Sequence, residues 1–425
     1  MVIRAKKKKK TSNLINKDKY ISNAVGLLFI FQIMALFLTL MYDIENTTSK
    51  DVFTCISIVI VTFISIKLVT KVTKGDNILL LVVSMLFSIG VVIIYRLDPD
   101  MGRRQLIFFI IGSFVFYLTY FILRKIKNWE DYTYFYFIIS IALFMVTLVF
   151  GFSAGGAKNW LSIGDFAIQP SEFIKVPFVF FIASFYSNYD KFAVKPFGRF
   201  FMTIGIYFFI VLFFLQRELG TAVIFFVVMF LSQFVYDKDR KLIIFNIVAI
   251  ILGGILAYFL FSHVRVRVQT WLDPWSVIDD QGYQITQSLF AIASGGLFGS
   301  GIGLGRPDYI PVATSDFIFP AITEEMGIFM GIAVILLFLI LVYRAMKNSL
   351  KQQHKFYSIL AFCIACLFAI QAFIIFGGVL KLIPLTGVTI PFVSSGGSSM
   401  ISGFILLAIL QYTEEDMEVG EEDER

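Results

Sequence analysis

The sequence predicts an all-α polytopic membrane protein, a helical bundle of about 12 transmembrane helices with both termini in the cytoplasm. Hydrophobic residues make up 58% of the 425 residues and charged residues only 16%, whereas soluble domains carry about 25% charged residues. One soluble core cannot bury so much apolar surface, and the excess must therefore face lipid. Much of that surface is aromatic, because the chain contains 50 Phe residues.

Apolar runs of the length that a bilayer requires, about 20 residues, recur along the chain. The twelve runs lie at about 23–42, 52–70, 77–95, 105–123, 132–150, 173–189, 199–216, 220–236, 241–262, 316–343, 356–377 and 398–412. They occupy most of the chain, so the sequence predicts no separate soluble domain.

Basic connections alternate with connections that are not basic. The basic ones follow every second run, as in KLVTKVTKGDN at 67–77 and YRAMKNSLKQQHK at 343–355. Because basic loops stay in the cytoplasm, this alternation places both termini there. The outer connection YRLDPDMGRRQ at 95–105 breaks the rule with three Arg, which indicates either a function outside or a surface loop against lipid headgroups.

The two ends of the chain carry opposite charge. Lysines fill positions 6–10, and an acidic segment ends the chain at 413–425. The basic end predicts a cytoplasmic anchor beside anionic membrane lipids, and we expect no nucleic-acid partner. All three cysteines, Cys55, Cys363 and Cys366, fall in apolar runs and are expected to be small buried side chains.

Two outer connections are long, 263–315 and 378–397, and long loops in compact proteins tend to be functional. The first contains a glycine-dense run at 295–305. That run predicts either backbone packed tightly against helices or a loop shaped to admit a ligand.

Ionisable residues near the ends of membrane segments are costly and mark functional sites by default. Four places carry them: Glu172 with Lys175, Arg217 with Glu218, Asp316 with Glu324 and Glu325, and Lys381. Each alone fits a structural ion pair or a snorkelling side chain. All four lie at the predicted outer face, which favours a polar cavity that opens outward. Its cations would suit a phosphate-bearing head group and its carboxylates acid–base work.

Nine outer or near-outer segments, in order along the chain, resemble one family of membrane enzymes. They are GAKNWL at 156–161, QPSEF at 169–173, ELGT at 218–221, RVQTWLDPW at 267–275, GYQITQS at 282–288, GGLFG at 295–299, TSDFIF at 314–319, EEMG at 324–327 and PFVSSGGS at 391–398. Together they resemble the shape, elongation, division and sporulation family. The resemblance implies a ten-helix core at 77–412.

The remaining parts of the chain lie outside this predicted ten-helix core. A basic cytoplasmic tail occupies 1–22, two additional transmembrane helices occupy 23–76, and an acidic cytoplasmic tail occupies 413–425. The segment 263–315 becomes the large extracytoplasmic loop of the core.

The resemblance implies a peptidoglycan glycosyltransferase that polymerises lipid II on the outer face of the bacterial cytoplasmic membrane, with undecaprenyl pyrophosphate as leaving group. It implies a class B penicillin-binding protein as partner and no redox cofactor. A divalent cation beside the pyrophosphate would fit this chemistry, but the sequence offers no clear ligand set. By motif match, the substrate-binding residues are Trp160, Glu172, Lys175, Glu218, Asp316, Glu325 and Ser395.

One position departs from the family pattern. The family places a carboxylate just after the WLDPW-like segment, and Val277 stands there in this chain. Asp280 is our first candidate for the catalytic carboxylate and Asp279 the second. Asp273 is a third candidate, although the following Pro274 suggests that it caps a turn.

Two other functions fit the same pattern. A flippase for the lipid-linked precursor would also need a polar cavity within a bundle, but it would need access from both faces. A non-catalytic scaffold for the penicillin-binding protein would account for Val277.

Overall fold

The structure is a computed structural model that describes residues 2–423 except 155, 156, 165, 196 and 238. Gly156 of the GAKNWL motif and the last two residues of the acidic tail therefore lie outside the described residues. The predicted all-α polytopic bundle is confirmed.

Fifteen helices are assigned within the described residues. They are α1 Val2–Tyr42, α2 Ser49–Val72, α3 Asn77–Leu97, α4 Pro99–Lys125, α5 Thr133–Phe150, α6 Pro170–Ser187, α7 Tyr189–Ala193, α8 Phe201–Gln216, α9 Leu219–Tyr236, α10 Arg240–Leu260, α11 Ser262–Leu272, α12 Tyr283–Gly295, α13 Ile318–Lys351, α14 Lys355–Val379 and α15 Gly397–Asp423. The segment 263–315, predicted as a loop, thus contains most of α11 and all of α12.

In the part of the chain that the structure describes, ten helices are long and apolar enough to cross a membrane. The helices α6 and α15 coincide with two of the twelve apolar runs but are not among these ten. In α6, Glu172 and Lys175 lower the mean hydropathy. The total of twelve crossings stays a prediction.

A small sheet interrupts the helices between α5 and α6. Its strands β1 Phe152–Ala154, β2 Ala157–Ile163 and β3 Phe166–Ile168 pair antiparallel in the order β1-β2-β3. Trp160 lies in β2 opposite Phe152. The sheet pairs backbone N–H and C=O groups within this connection.

The helices α3 and α14 form the centre of the bundle. In an 18-residue window, 89% of α3 and 83% of α14 is buried, against 11% of α10. A helix that is apolar all round is suited to such a central position. Stacked aromatic rings pack between the helices. The ring centroids of Phe87 and Phe109 are 4.1 Å apart, and those of Phe178 and Phe225 are 3.9 Å apart. The predicted burial of the three cysteines is confirmed.

The N-terminal helices α1 and α2 pack on α3 through buried polar contacts. Gln32 Nε2 donates to Ser88 Oγ at 2.7 Å and to Thr62 Oγ1 at 3.2 Å. At the end of the bundle that is predicted to lie outside, Asp51 accepts hydrogen bonds from Tyr95 Oη at 2.7 Å and Arg103 Nη1 at 2.9 Å. Hydrogen bonds between helices replace the hydrophobic drive that lipid cannot supply.

Two of the three outer arginines therefore have structural roles. Arg103 joins α4 to α2, and Arg96 Nε pairs with Glu325 at 2.9 Å, with side chains 7% and 0% exposed. Arg96 Nη2 also donates to the carbonyl of Gly305 at 3.1 Å. A buried ion pair with an additional hydrogen bond offsets part of the desolvation cost of its charges.

The glycine-dense run packs directly against a kink in α13. Gly327, with φ 83°, interrupts the helical geometry of α13, and a β-carbon on Gly299 would lie 2.2 Å from the carbonyl oxygen of Glu325. Only glycine permits both the positive φ and this approach. Of the two interpretations offered by the sequence, tight packing against a helix is the one these contacts support.

We predict that both termini are cytoplasmic. Single cysteines placed at Ile15 and Gly420 should remain unlabelled by a membrane-impermeant maleimide in intact cells, whereas a cysteine at the outer position Asp308 should react. The native cysteines give little background because they are buried. Labelling at either terminus would contradict an even number of crossings with cytoplasmic ends.

Candidate active site

A polar cavity of about 190 Å³ lies where α11, α12, the residues just before α13 and the segment after α14 meet. Its charged and polar lining residues are Arg267, Thr270, Gln281, Gln284, Asp316 and Lys381, and Trp271 closes one side. Two cations and one carboxylate therefore share one small space at the predicted outer face.

Two hydrogen bonds fix α11 against the segment after α14. Trp271 Nε1 donates to the carbonyl of Lys381 at 3.1 Å, and Arg267 Nη1 donates to the carbonyl of Thr386 at 2.9 Å. These bonds satisfy carbonyl groups of an irregular segment and hold both cations at the cavity wall. The Lys381 backbone has φ 58°, an uncommon conformation for a residue with a side chain.

Asp316 and Arg267 face one another across Gly387. A β-carbon on Gly387 would lie 3.5 Å from Asp316 Oδ2 and 3.7 Å from Arg267 Nη2. Burial raises the pKa of the half-buried Asp316 carboxyl, and a hydrogen bond from Ser315 and the charge of Arg267 oppose that shift. A carboxylate in such surroundings is suited to proton transfer.

The segment that carries Asp316 is pinned to the segment before α15. Ser395 N donates to the carbonyl of Thr314 at 2.8 Å, and Ser394 Oγ donates to the carbonyl of Ser315 at 2.7 Å. Ser394 Oγ also accepts from Ile390 N at 2.9 Å. Ser395 thus helps to position Asp316 through its backbone N–H.

An apolar groove of about 400 Å³ adjoins the cavity. Side chains of α8, α9, α10 and α11 line it, together with Pro384, Leu385 and Thr386. Arg267 and Leu385 belong to both the groove and the cavity. A molecule with a charged head and a long apolar tail would therefore be accommodated across the two spaces.

The three loop carboxylates lie outside the cavity lining. Asp273 Oδ1 accepts from the backbone N–H of Trp275 at 3.2 Å and of Ser276 at 3.3 Å, which is the turn-capping role suggested by Pro274. Asp279 and Asp280 are exposed on the turn that follows.

Glu172 and Lys175 form a buried ion pair within α6. Lys175 Nζ lies 2.7 Å from Glu172 Oε1 and donates to Gln371 Oε1 at 3.2 Å. Glu172 Oε2 accepts from Ser402 Oγ at 3.0 Å. Lys175 is 1% exposed and Glu172 5%. The predicted pairing is confirmed, and the partners come from α14 and α15 rather than from the cavity.

Glu218 lies close to this pair at the start of α9. Its Oε1 accepts from Ser171 Oγ at 2.6 Å, Gln169 Nε2 at 2.8 Å and Thr221 Oγ1 at 2.8 Å. Burial raises the pKa of the Glu218 carboxyl, although the two hydroxyl donors oppose the shift. The structure thus gathers the QPSEF and ELGT motifs into one buried cluster.

Several residues that the sequence predicted to lie at one site are found in different parts of the structure. Asp316 lies in the cavity, whereas Glu325 pairs with Arg96 and Glu324 Oε1 accepts from the backbone N–H of Arg306 at 2.9 Å. Trp160 lies in the sheet. No group of three or more His, Cys, Asp or Glu side chains within the described ranges is placed to hold a metal ion.

Arg267, Gln281 and Gln284 line the cavity but are absent from the predicted binding residues. One signal was present in the sequence, since Arg267 is a basic residue in a predicted outer connection, whereas the rule places basic loops in the cytoplasm. The two glutamines have no such signal, because only the packing of α12 against α13 and α14 places them beside the cations.

A sequence model of the cell cycle protein family of FtsW, RodA and SpoVE matches residues 76–418. The chain belongs to this family. The resemblance predicted from the nine segments is confirmed, and α1 and α2 precede the matched region.

Two relatives are similar over most of the chain. The peptidoglycan glycosyltransferase RodA of Mycobacterium tuberculosis is 32% identical over 366 residues, which cover 79% of this chain and 77% of that protein. Stage V sporulation protein E of Bacillus subtilis is 32% identical over 362 residues, which cover 80% of this chain and 97% of that protein.

Solved structures share the fold. A chain of a peptidoglycan synthase complex that coordinates polymerization and crosslinking has a TM-score of 0.68 at 23% identity, covering 81% of this chain and 98% of that one. The rod shape determining protein RodA of Thermus thermophilus has a TM-score of 0.59 at 21% identity, covering 81% and 97%.

We expect Lys175→Met alone to destabilise the protein by about 3–5 kcal/mol, because it leaves Glu172 buried without its cation. The double change Glu172→Leu with Lys175→Met should cost less, since no charge is left unpaired. Thermal unfolding in detergent measures both. Lys191→Met is the matched control, because its ion pair with Asp131 is exposed. Equal losses in the single and the control variant would contradict the buried-pair interpretation.

Proposed function

We propose that this protein is a peptidoglycan glycosyltransferase that polymerises lipid II on the outer face of the bacterial cytoplasmic membrane. The observation that carries the proposal is the cationic cavity that opens onto an apolar groove, with Arg267 shared by both. Membership of the family and the 32% identity to a protein described as a peptidoglycan glycosyltransferase support it.

The apolar tail and the pyrophosphate of lipid II match the apolar groove and the polar cavity, respectively. Its undecaprenyl tail fits the apolar groove along α9 and α10, and its pyrophosphate fits beside Arg267 and Lys381. Arg offers a planar fork of donors to phosphate oxygens, whereas Lys acts as a compact charge. Both cations lie where negative charge develops on the leaving group.

The proposed reaction forms one bond and breaks one. The 4-hydroxyl oxygen of the acceptor sugar attacks the anomeric carbon of the growing chain, and the bond from that carbon to the pyrophosphate breaks. Undecaprenyl pyrophosphate leaves with the bonding electrons, and a carboxylate takes the hydroxyl proton. The candidate carboxylates are Asp279 and Asp280 on the exposed turn and Asp316 in the cavity lining.

The proposed partner is a class B penicillin-binding protein, which would crosslink the glycan strands that this protein makes. Support comes from the shared fold with a chain of a peptidoglycan synthase complex. Such a partner would act on the outer side of the membrane, which is the side to which the cavity opens in the proposed topology.

We expect purified protein, with and without the class B penicillin-binding protein, to convert labelled lipid II into polymer in detergent, where no leaflets exist. Polymer length is read on a gel. Transport of lipid II across vesicles without polymer in either assay would favour the flippase, and neither polymer nor transport would favour the scaffold.

Arg267→Ala should lower the rate of polymer formation about 100-fold or more, because it removes a donor from the developing charge. Arg265→Ala is the matched control: Arg265 lies on the same helix but outside the cavity lining. Similar activities in the two variants would count against pyrophosphate binding by Arg267. The double variant at Glu172 and Lys175 tests their predicted binding role, since a folded but inactive double variant would support it.

A further inference from the structure

The connection between α6 and α8 exposes two large apolar side chains, Val194 at 87% and Phe197 at 79%. Its sequence, SNYDKFAVKPFGR at 187–199, holds three basic residues and one acidic residue, and the rule for basic loops predicts a cytoplasmic position. Single exposed apolar residues are ordinary on protein surfaces. Here two of them lie three residues apart among cations, beside the ends of α6 and α8, which points to a specific environment.

This connection is folded, and its exposed side chains are not loose ends. Phe192 is buried, and its ring centroid lies 5.1 Å from that of Phe185 and 5.8 Å from that of Phe201. A β-carbon on Gly198 would lie 2.1 Å from the carbonyl oxygen of Phe192, so the backbone turns back closely on itself. Phe197 has φ 59°, an uncommon conformation for a residue with a side chain. The fold thus holds this aromatic ring on the surface.

A cavity of about 150 Å³ lies between this connection and the start of α5. Its lining includes Tyr134, Lys191 and Lys195, which offer one hydroxyl and two ammonium groups. The volume is several times the share of one water molecule, about 30 Å³. Such donors suit the oxygens of a phosphate group, because hydrogen bonds from a cation to an anionic oxygen are the strong ones.

One of the two lysines is available to an anion. Lys195 Nζ donates to Tyr134 Oη at 3.4 Å and lies 5.6 Å from the centroid of that ring. None of the ion pairs among the described residues includes Lys195. Lys191 Nζ pairs with Asp131 Oδ1 at 3.1 Å, with side chains 71% and 51% exposed. A pair so exposed is worth little, and the ammonium group has further protons to donate.

We propose that the connection 187–199 is an interfacial anchor: Val194 and Phe197 enter the inner leaflet, and the cavity beside Lys195 binds the phosphate of an anionic phospholipid. Apolar side chains next to cations are typical of segments that lie in a membrane interface. Lipid headgroups are the anions at this level, because the connection joins two helices at the predicted cytoplasmic surface, where anionic lipids attract Lys and Arg. Anchoring of this kind is independent of the proposed glycosyltransferase function.

The first experiment asks whether Phe197 lies in lipid. The full-length protein is placed in nanodiscs of phosphatidylglycerol and phosphatidylcholine. A nitrobenzoxadiazole probe on Phe197→Cys should lose about half or more of its fluorescence when doxyl-labelled lipid is included, because that position lies at the acyl boundary. Gln353→Cys is the matched control, since Gln353 is an exposed polar residue of another predicted cytoplasmic connection. Its probe should be quenched much less.

The second experiment measures the headgroup. Native mass spectrometry of the full-length protein in detergent follows the binding of added phosphatidylglycerol or phosphatidylcholine. We expect phosphatidylglycerol to bind more tightly, and Lys195→Gln to weaken its binding about fivefold, the loss of one cation near an anionic lipid. Lys241→Gln is the matched control, because Lys241 is exposed on another predicted cytoplasmic connection and lies outside the cavity lining. Both lysines are exposed, and thermal unfolding in detergent checks that the variants are folded.

Three results would overturn the proposal. Equal binding of phosphatidylglycerol by the wild type and Lys195→Gln excludes the headgroup site. Displacement of the bound lipid by inorganic phosphate at the same concentration assigns the cavity to free phosphate instead. A probe at position 197 that is quenched no more than the one at position 353 excludes insertion into the leaflet, and it leaves the two apolar side chains to a cytoplasmic protein partner.

Discussion

Polar groups buried among membrane helices must find partners within the protein, because lipid offers none. The pair of Lys175 and Glu172 shows how this constraint organises the bundle, since its remaining contacts come from Gln371 on α14 and Ser402 on α15. One ion pair thereby fixes three helices relative to one another. Glu218 extends the same cluster to α9.

The face that is predicted to lie outside satisfies its buried polar groups through other contacts. Arg96 neutralises Glu325 and also bonds a carbonyl of the glycine-dense run, so the run, α3 and α13 are held together. This packing is close. The cavity around Arg267, Asp316 and Lys381 contrasts with it, because these three charged side chains line a common space. That contrast separates charges that build the protein from charges available to a ligand.

The groove beside the cavity follows from the weak packing of α10. This helix buries only 11% of its central window, and Gly253 and Gly254 leave space on the side that faces α9. The result is an apolar surface inside the membrane that ends at a cation. A lipid-linked sugar pyrophosphate has that same order of chemistry, from tail to head, which is why the groove and cavity together support the proposed function better than either alone.

The sequence by itself determined the fold class, the family and the pairing of Glu172 with Lys175, because these depend on local features: hydropathy over about 20 residues, contiguous motifs, and a spacing of three within one helix. Only the tertiary structure decided which charges share a space. Asp316 and Glu325 are nine residues apart on adjoining elements, yet one faces Arg267 in the cavity and the other pairs with Arg96. Gln281 and Gln284 carry no signal in the sequence, because their place in the lining depends on how α12 packs against α13 and α14. Such contacts join residues that are distant in the chain, and no local pattern encodes them.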